Sequence, residues 1–523
     1  MRALKELALV VYNNRLQAID LIKEDEKEPH NKVQQFYYAL VRNELNQDDE
    51  AAEKLLNTDR RDARYQKLKS KLKRSLLNTI YFMNTKRSNY TDRQRAYYEG
   101  YKDWAAAKIL MGKNARMVGI QLCLKLLTLS EKYEFTDLSV DILRILRLHY
   151  GAREGNLKKY EAYNVQFKHY EKIFHYENRA EELYTELVLK FINSKASDEE
   201  TQKKAKEYYE ELAEPLAKYD SYRLNLCALL IRLMIYSSVN DYKSTISVCN
   251  EALEFFKNKP YNASVPIQIC YYQQLICYTH MKAYDTGKIA AENCLAYLDE
   301  GSFNWFKYQE LYFMLSMHTA NYQGAYDVFM NTTNHKSFQF LPPSLTEIWR
   351  IYESYLHFLV ELGYVVPNKG DRSFSKFRLG KFINETPIFS KDKRGMNIPI
   401  LVIQIVFMIH QRKYGEAIDR IEAIQKYCSR YLVKDDTFRS NCFIKMLLQI
   451  PKASFHKAAV TRKSEKYLDR LRDYPLNLSS QSHEIEIIPF EALWDLVMET
   501  MDNKFHKARN TGTSNGFQRS DNE

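Results

Sequence analysis

Along most of this chain apolar residues recur every three or four positions, and that spacing predicts helices throughout. The strongest segments are NLCALLIRLMIYSSV, QICYYQQLICYTHM, QELYFMLSMHTA and IPILVIQIVFMIHQ. Prolines fall mostly between such segments rather than inside them. Three helix starts carry a hydroxyl with a carboxylate or amide three residues on: Thr91 with Gln94, Ser197 with Glu200, and Ser344 with Glu347. On the order of twenty helices of roughly 10–20 residues are expected, joined by loops of bundle length.

Four segments align on one tyrosine. NDYKSTISVCNEAL, KAYDTGKIAAENCL, ANYQGAYDVFMNTT and RKYGEAIDRIEAIQ place Tyr242, Tyr284, Tyr322 and Tyr414 at the same point. Three residues later stands a small residue: Thr245, Gly287, Ala325 or Ala417. Seven later comes Cys249, Ala291, Phe329 or Ile421. These positions share one helical face, so the small residue predicts close approach of the preceding helix. A strongly apolar helix precedes each tyrosine, and such pairs bury their apolar faces only by stacking.

The tyrosine-x-x-small pattern resembles the second helix of tetratricopeptide repeats, over residues 220–335 and, more loosely, 398–430. The repeats are longer than the family's and lack its first-helix tryptophan and glycine. The resemblance implies an all-α fold, an elongated α-solenoid of stacked helical hairpins, behind a divergent N-terminal helical region.

Composition agrees. The 523 residues include 15 Gly and 12 Pro, which disfavours turn-rich β and α/β folds and predicts few tight turns. The formal net charge of +11 is a mild bias toward acidic partners. The apolar run Leu7 to Val11 is too short for a signal peptide, and ILVIQIVFMI at 400–409 falls short of a membrane span. Eight cysteines without a CxxC pair, among them Cys227, Cys249, Cys270, Cys277 and Cys294 in apolar surroundings, read as reduced core residues. The expected setting is cytoplasmic, with no membrane partner.

Residues 48–82, DDEAAEKLLNTDRRDARYQKLKSKLKRSLLNTIYF, predict a short acidic helix, a polar turn and a long amphipathic helix. Tyr65, Leu68, Leu72, Leu76, Thr79 and Ile80 form an apolar stripe. Arg64, Lys67, Lys71, Arg74 and Asn78 form the opposite stripe, and with Arg60 and Arg61 the stretch 59–74 carries a net charge of +6. Like charges at this spacing repel unless something anionic lies along them. The stretch resembles the helix-turn-helix of bacterial activators that carry a tetratricopeptide-like domain, although residues 1–45 read as helices and no wing follows. A solvated basic helix is the competing reading.

Residues 367–399 interrupt the pattern with eight basic side chains against three acidic ones and four interleaved phenylalanines. Part of this segment is expected to pack down, and Lys376, Arg378, Lys381, Lys391, Lys393 and Arg394 are its candidate anion ligands. The resulting division is 1–85 N-terminal helical region, 86–366 repeats, 367–399 insertion, 400–503 C-terminal hairpins and 504–523 disordered tail.

No phosphate-binding, dinucleotide, zinc-protease or nucleophile-elbow motif occurs, and the twelve histidines show no pair at metal spacing. His280, His318, His357 and His410, at the ends of apolar helices, read as structural. The expectation is a protein without catalytic residues, cofactor or metal, holding a protein or peptide segment in a concave groove. The alternative is a nucleic-acid-binding transcriptional regulator using residues 59–78.

Overall fold

The computed structural model describes residue 6 and residues 31–42, 44–45, 47–82, 85, 90–193, 198–368, 374, 397–431, 438–474 and 486–504. The described residues are overwhelmingly helical and contain no strand. They fall into two compact units, Met1–Ile235 with Glu251–Ile267, and Tyr236–Asn250 with Gln268–Glu523.

The first unit holds α1 (Lys32–Val41), α2 (Asp48–Leu56), α3 (Ala63–Ile80), α4 (Asp92–Gly112), α5 (Arg116–Tyr133), α6 (Thr136–Leu148), α7 (Leu157–Asn193), α8 (Asp198–Glu211), α9 (Ala213–Lys218) and α10 (Tyr222–Ser237), the last reaching just past the boundary. Next come α11 (Tyr242–Lys257) and α12 (Ser264–His280), within which the unit boundary falls. The second unit continues with α13 (Tyr284–Leu295), α14 (Phe303–His318), α15 (Tyr322–Thr333), α16 (Pro343–Glu361), α17 (Asn397–His410), α18 (Tyr414–Tyr431), α19 (Phe438–Leu447), α20 (Gln449–Lys452), α21 (Lys457–Asp473) and α22 (Phe490–Glu499). Packing is largely sequential: α4 on α5, α5 on α6 and α6 on α7 in the first unit, α13 on α14, α14 on α15 and α17 on α18 in the second. At 37 residues α7 is far longer than the range the pattern predicted, since no Gly or Pro interrupts it.

Each repeat tyrosine opens a helix: Tyr242 starts α11, Tyr284 α13, Tyr322 α15 and Tyr414 α18. Two residues before each lies a left-handed residue, Asn240, Lys282, Ala320 and Arg412, with φ of 57°, 54°, 57° and 58°. The next N–H in each case reaches back five residues, as from Asp241 to the Tyr236 carbonyl and from Lys413 to that of Met408. This is a Schellman close leading directly into the next helix. Thr245, Gly287, Ala325 and Ala417 are all buried, as are Cys249, Ala291, Phe329 and Ile421. A β-carbon on Gly287 would stand 2.8 and 2.9 Å from the two methyls of Leu315 and 3.2 Å from Tyr278 Cβ, so the small residue does mark close approach.

Three of the four rings meet an aromatic ring in the following hairpin. Tyr242 stacks on His280 at the end of α12, Tyr322 meets Tyr364 just past α16, and Tyr414 meets Phe455 just past α20. The contact therefore runs to the following hairpin, which ties successive pairs together.

The same corner recurs where no tyrosine marks it. Asn114 (φ 64°) precedes Arg116, Glu134 (φ 55°) precedes Thr136, and the small residues are then Gly119 and Ser139. Low glycine content thus did not mean few tight corners. They are made by Asn, Glu, Lys, Ala and Arg in the left-handed region, a strain of roughly 1–2 kcal/mol per residue that the flanking helices hold in place.

Thr91 and Gln94 form the full capping box expected of them. Near Ser344 the cap position falls on Pro342 and α16 begins at Pro343, whose ring presets the helical φ and whose missing N–H needs no partner. Ser197 lies outside the described residues.

Of the 367–399 insertion, Phe374 is buried against Tyr326, Phe329 and His357. The segment therefore does pack down in part. Lys376, Arg378, Lys381, Lys391, Lys393 and Arg394 lie outside the described residues, as does the 504–523 tail beyond Lys504.

Candidate interaction groove and basic helix

α1, α2 and α3 share a small core of their own: Val33, Phe36, Ala39, Leu45, Ala51, Ala52, Leu55, Tyr65 and Leu72. Asp48, Asp49 and Glu50 in the first turn of α2 complement its dipole, and Asn57 at φ 50° closes it. The turn is then locked by Asp62. Its carboxylate accepts from the Arg64 N–H at 2.7 Å, capping α3, and from the Thr58 hydroxyl at 2.6 Å. The Arg64 guanidinium, at 2.8 Å, is the main reason this carboxyl stays ionised far below the usual range.

Arg60, Arg61, Arg64, Lys67, Lys71 and Arg74 are all exposed, as the pattern required. Several cations of the stretch nevertheless meet acids of the same module. Arg60 faces Asp49 at 3.4 Å, Arg64 faces Asp62, and Lys69 holds Asp48 at 2.7 Å. The anions that the repulsion argument asked for are thus supplied in part by α2 and the turn. Lys67 and Lys73 have no ion-pair partner among the described residues.

The apolar stripe is less completely covered than expected. Tyr65 and Leu72 are buried and Leu68, Leu76 and Thr79 half-buried, but Ile80 is 54% exposed. α1 is too short to follow α3 to its end. Leu77 (53%) and Leu40 (42%) are open beside Ile80, and Tyr81 and Phe82 follow, also exposed. Leu40, Leu77 and Ile80, together with Phe36, Leu45, Ala51, Leu72 and Leu76, border a groove of about 570 Å³, rimmed by Lys69 and Lys73.

At the buried end of the groove the Tyr65 hydroxyl donates to Asp48 at 2.7 Å. Burial, then the carboxylate, pushes that phenol well above its ordinary value. Hydrogen bonds from Lys69 and Tyr65 hold Asp48 below its own. The one acid among the described residues of the groove wall is therefore already engaged. Sequence reading placed Ile80 on the apolar stripe but did not show which part of that stripe stays uncovered. The available signal was the crowding of Leu76, Leu77, Ile80, Tyr81 and Phe82, more apolar surface than the ten-residue α1 can cover.

Polar clusters elsewhere serve structure. Arg439 is wholly buried and spends its guanidinium on Glu486 (2.7 and 2.9 Å), Glu491 (2.8 Å) and the carbonyls of Leu471 and Tyr474. Glu177 accepts from the hydroxyls of Thr136 and Ser221. His318 is buried with its ring 2.7 Å from the Glu486 carbonyl, His357 stacks on Phe374, and His410 lies 3.3 Å from Glu361. A second cavity, of about 500 Å³, contains Arg144 and Arg147, but these are held by Asp141 and Asn164. Among the described residues no cluster of His, Cys, Asp or Glu could hold a metal ion, and no helix is long and apolar enough to cross a membrane.

Comparison of the chain with protein-family models, with curated proteins and with solved structures found no match.

Proposed function

We propose that this chain is a tetratricopeptide-like helical-repeat protein that acts without catalysis, as an adaptor holding a segment of a partner protein, and that it does so in the groove of α1–α3. The repeated corner, with its buried small residue and a ring reaching the next hairpin, supports the repeat architecture. The observation that carries the function is the open run of Leu40, Leu77 and Ile80 in a groove where Asp48 is already engaged by Lys69 and Tyr65. Contiguous exposed apolar surface rimmed by polar residues marks interaction sites.

A photo-crosslinking residue at Leu77 tests this in the cells that make the protein. The expected result is a discrete protein adduct that disappears when Ile80 is changed to Glu. No adduct from Leu77 or Leu40 would overturn the reading.

The exposed row Arg61, Lys67, Lys71 and Arg74 favours a second reading, nucleic-acid binding. If it neutralises about four to six phosphates, log affinity for duplex DNA should fall against log salt with a slope of roughly −4 to −5. The variant Lys67→Glu, Lys71→Glu, Arg74→Glu should then abolish binding with the fold intact. No gel shift of DNA or RNA at low salt would remove this reading.

A further inference from the structure

We infer that the occupant of the α1–α3 groove is an amphipathic α-helix whose polar face is acidic. The inference rests on the adaptor reading and names the partner's chemistry.

The groove runs along α3. Tyr65, Lys69, Leu72 and Leu76 form one edge of it, and Lys73, Leu77 and Ile80 the next. From residue 65 to residue 80 a helix advances about 22 Å, or roughly four turns. The trough is thus as long as a short helix, and its volume is that of a true binding cleft.

The walls decide the backbone form of the guest. Apart from Leu45 and Gln47 the described lining residues lie on helices, whose main-chain groups are largely bonded within each helix, and they offer no strand edge of donors and acceptors. An extended peptide would bury its own amides unpaired there, which is costly for each one. A helix brings its amides already satisfied and presents apolar side chains at i, i+3, i+4 and i+7. Leu40, Leu72, Leu76, Leu77 and Ile80 are the surface those side chains would cover.

The rim decides its charge. Lys69 and Lys73 stand on the wall, and Lys67 lies on the same helix with no ion pair among the described residues. Asp48, the only acid among the described lining residues, already receives Lys69 and Tyr65. Carboxylates along the guest's polar flank would therefore meet cations on α3, and lysines there would meet repulsion. A nucleic acid could use the cations but has no apolar side chains to fill the cleft.

The test uses the full-length protein and three fluorescein-labelled 18-residue peptides in an anisotropy titration. One has leucines at helical spacing with glutamates elsewhere, the second replaces each Glu with Lys, and the third scrambles the first. The acidic helix is expected to bind, weakening as salt rises. The lysine and scrambled peptides should bind on the order of tenfold more weakly or worse. Leu77→Glu with Ile80→Glu should lower affinity for the acidic helix by a similar factor, and Lys73→Glu should narrow the gap between acidic and basic peptides. Unchanged circular-dichroism melts would establish that these variants fold.

Equal binding of all three peptides would overturn the inference while leaving the adaptor reading to the Leu77 crosslink. No peptide binding and no crosslink would remove both. Sedimentation with phosphatidylserine-containing vesicles through the same residues, unrelieved by the acidic peptide, would make the occupant a lipid surface and overturn the inference.

Discussion

The ring of Tyr242 lies flat on the imidazole of His280, with centroids 4.9 Å apart and planes 9° from parallel. Tyr322 and Tyr414 make equivalent contacts one hairpin onward. Removing such a ring deletes a link between neighbouring pairs as well as buried area. Tyr322→Ala, at a site only 7% exposed, should cost about 3–5 kcal/mol, and Tyr242→Ala, half-buried, about 2–3 kcal/mol. Chemical denaturation of the two variants measures this; losses under 1 kcal/mol at both sites would refute the link.

Gly287 is enclosed by Leu315 and Tyr278. Gly287→Phe should therefore overpack the hairpin and cost about 1–3 kcal/mol or more. Leu315→Ala in the same chain should return part of that loss, because it vacates the space the new ring needs. A double-mutant cycle with no coupling would show that the two side chains do not compete for one volume.

Arg439 is the hub of the polar core in the second unit. Arg439→Met strands the carboxylate of Glu486 in a dry interior and should destabilise by about 3–5 kcal/mol. Changing Glu486 to Leu as well removes the stranded charge, so the double variant should be more stable than Arg439→Met alone. Thermal melts ranking the double variant lower would refute this account.

Glu177 gives the first unit a pH dependence of definite sign. Burial lifts its carboxyl above the ordinary 4.5, against the pull of the Ser221 and Thr136 hydroxyls. The native state thus keeps a proton that the unfolded chain releases. The stability from this group is fully present below about pH 4.5 and is lost as pH rises through the native value. Glu177→Gln cannot ionise, so its melting temperature relative to the parent should climb between pH 4.5 and 8. A constant or falling difference would refute the assignment.

Much of this fold was legible because helical periodicity is a local property. The starts at Tyr242, Tyr284, Tyr322 and Tyr414 and the buried residues three positions on were all read from spacing. The corners at Asn114 and Glu134 were not, since the left-handed residue varies in type and only the backbone repeats. Cover is equally hard to read. Sequence identified the apolar side of α3, but which of its residues stay open depends on where α1 ends. That is why the stripe was legible while the groove at Leu77 and Ile80 was not.

Among the described residues the core beneath the groove is small, nine buried side chains under three helices. So little burial gives only a slender margin against opening, and local opening is what amide hydrogen exchange detects. A guest inserting leucines between Leu40 and Ile80 would enlarge that core. Its free energy would then appear in the host as slower exchange across Lys32–Ile80, by a factor of one plus the ligand concentration over Kd. Exchange of α1–α3 would thereby report occupancy of the groove from the protein's own amides, with no label on the partner.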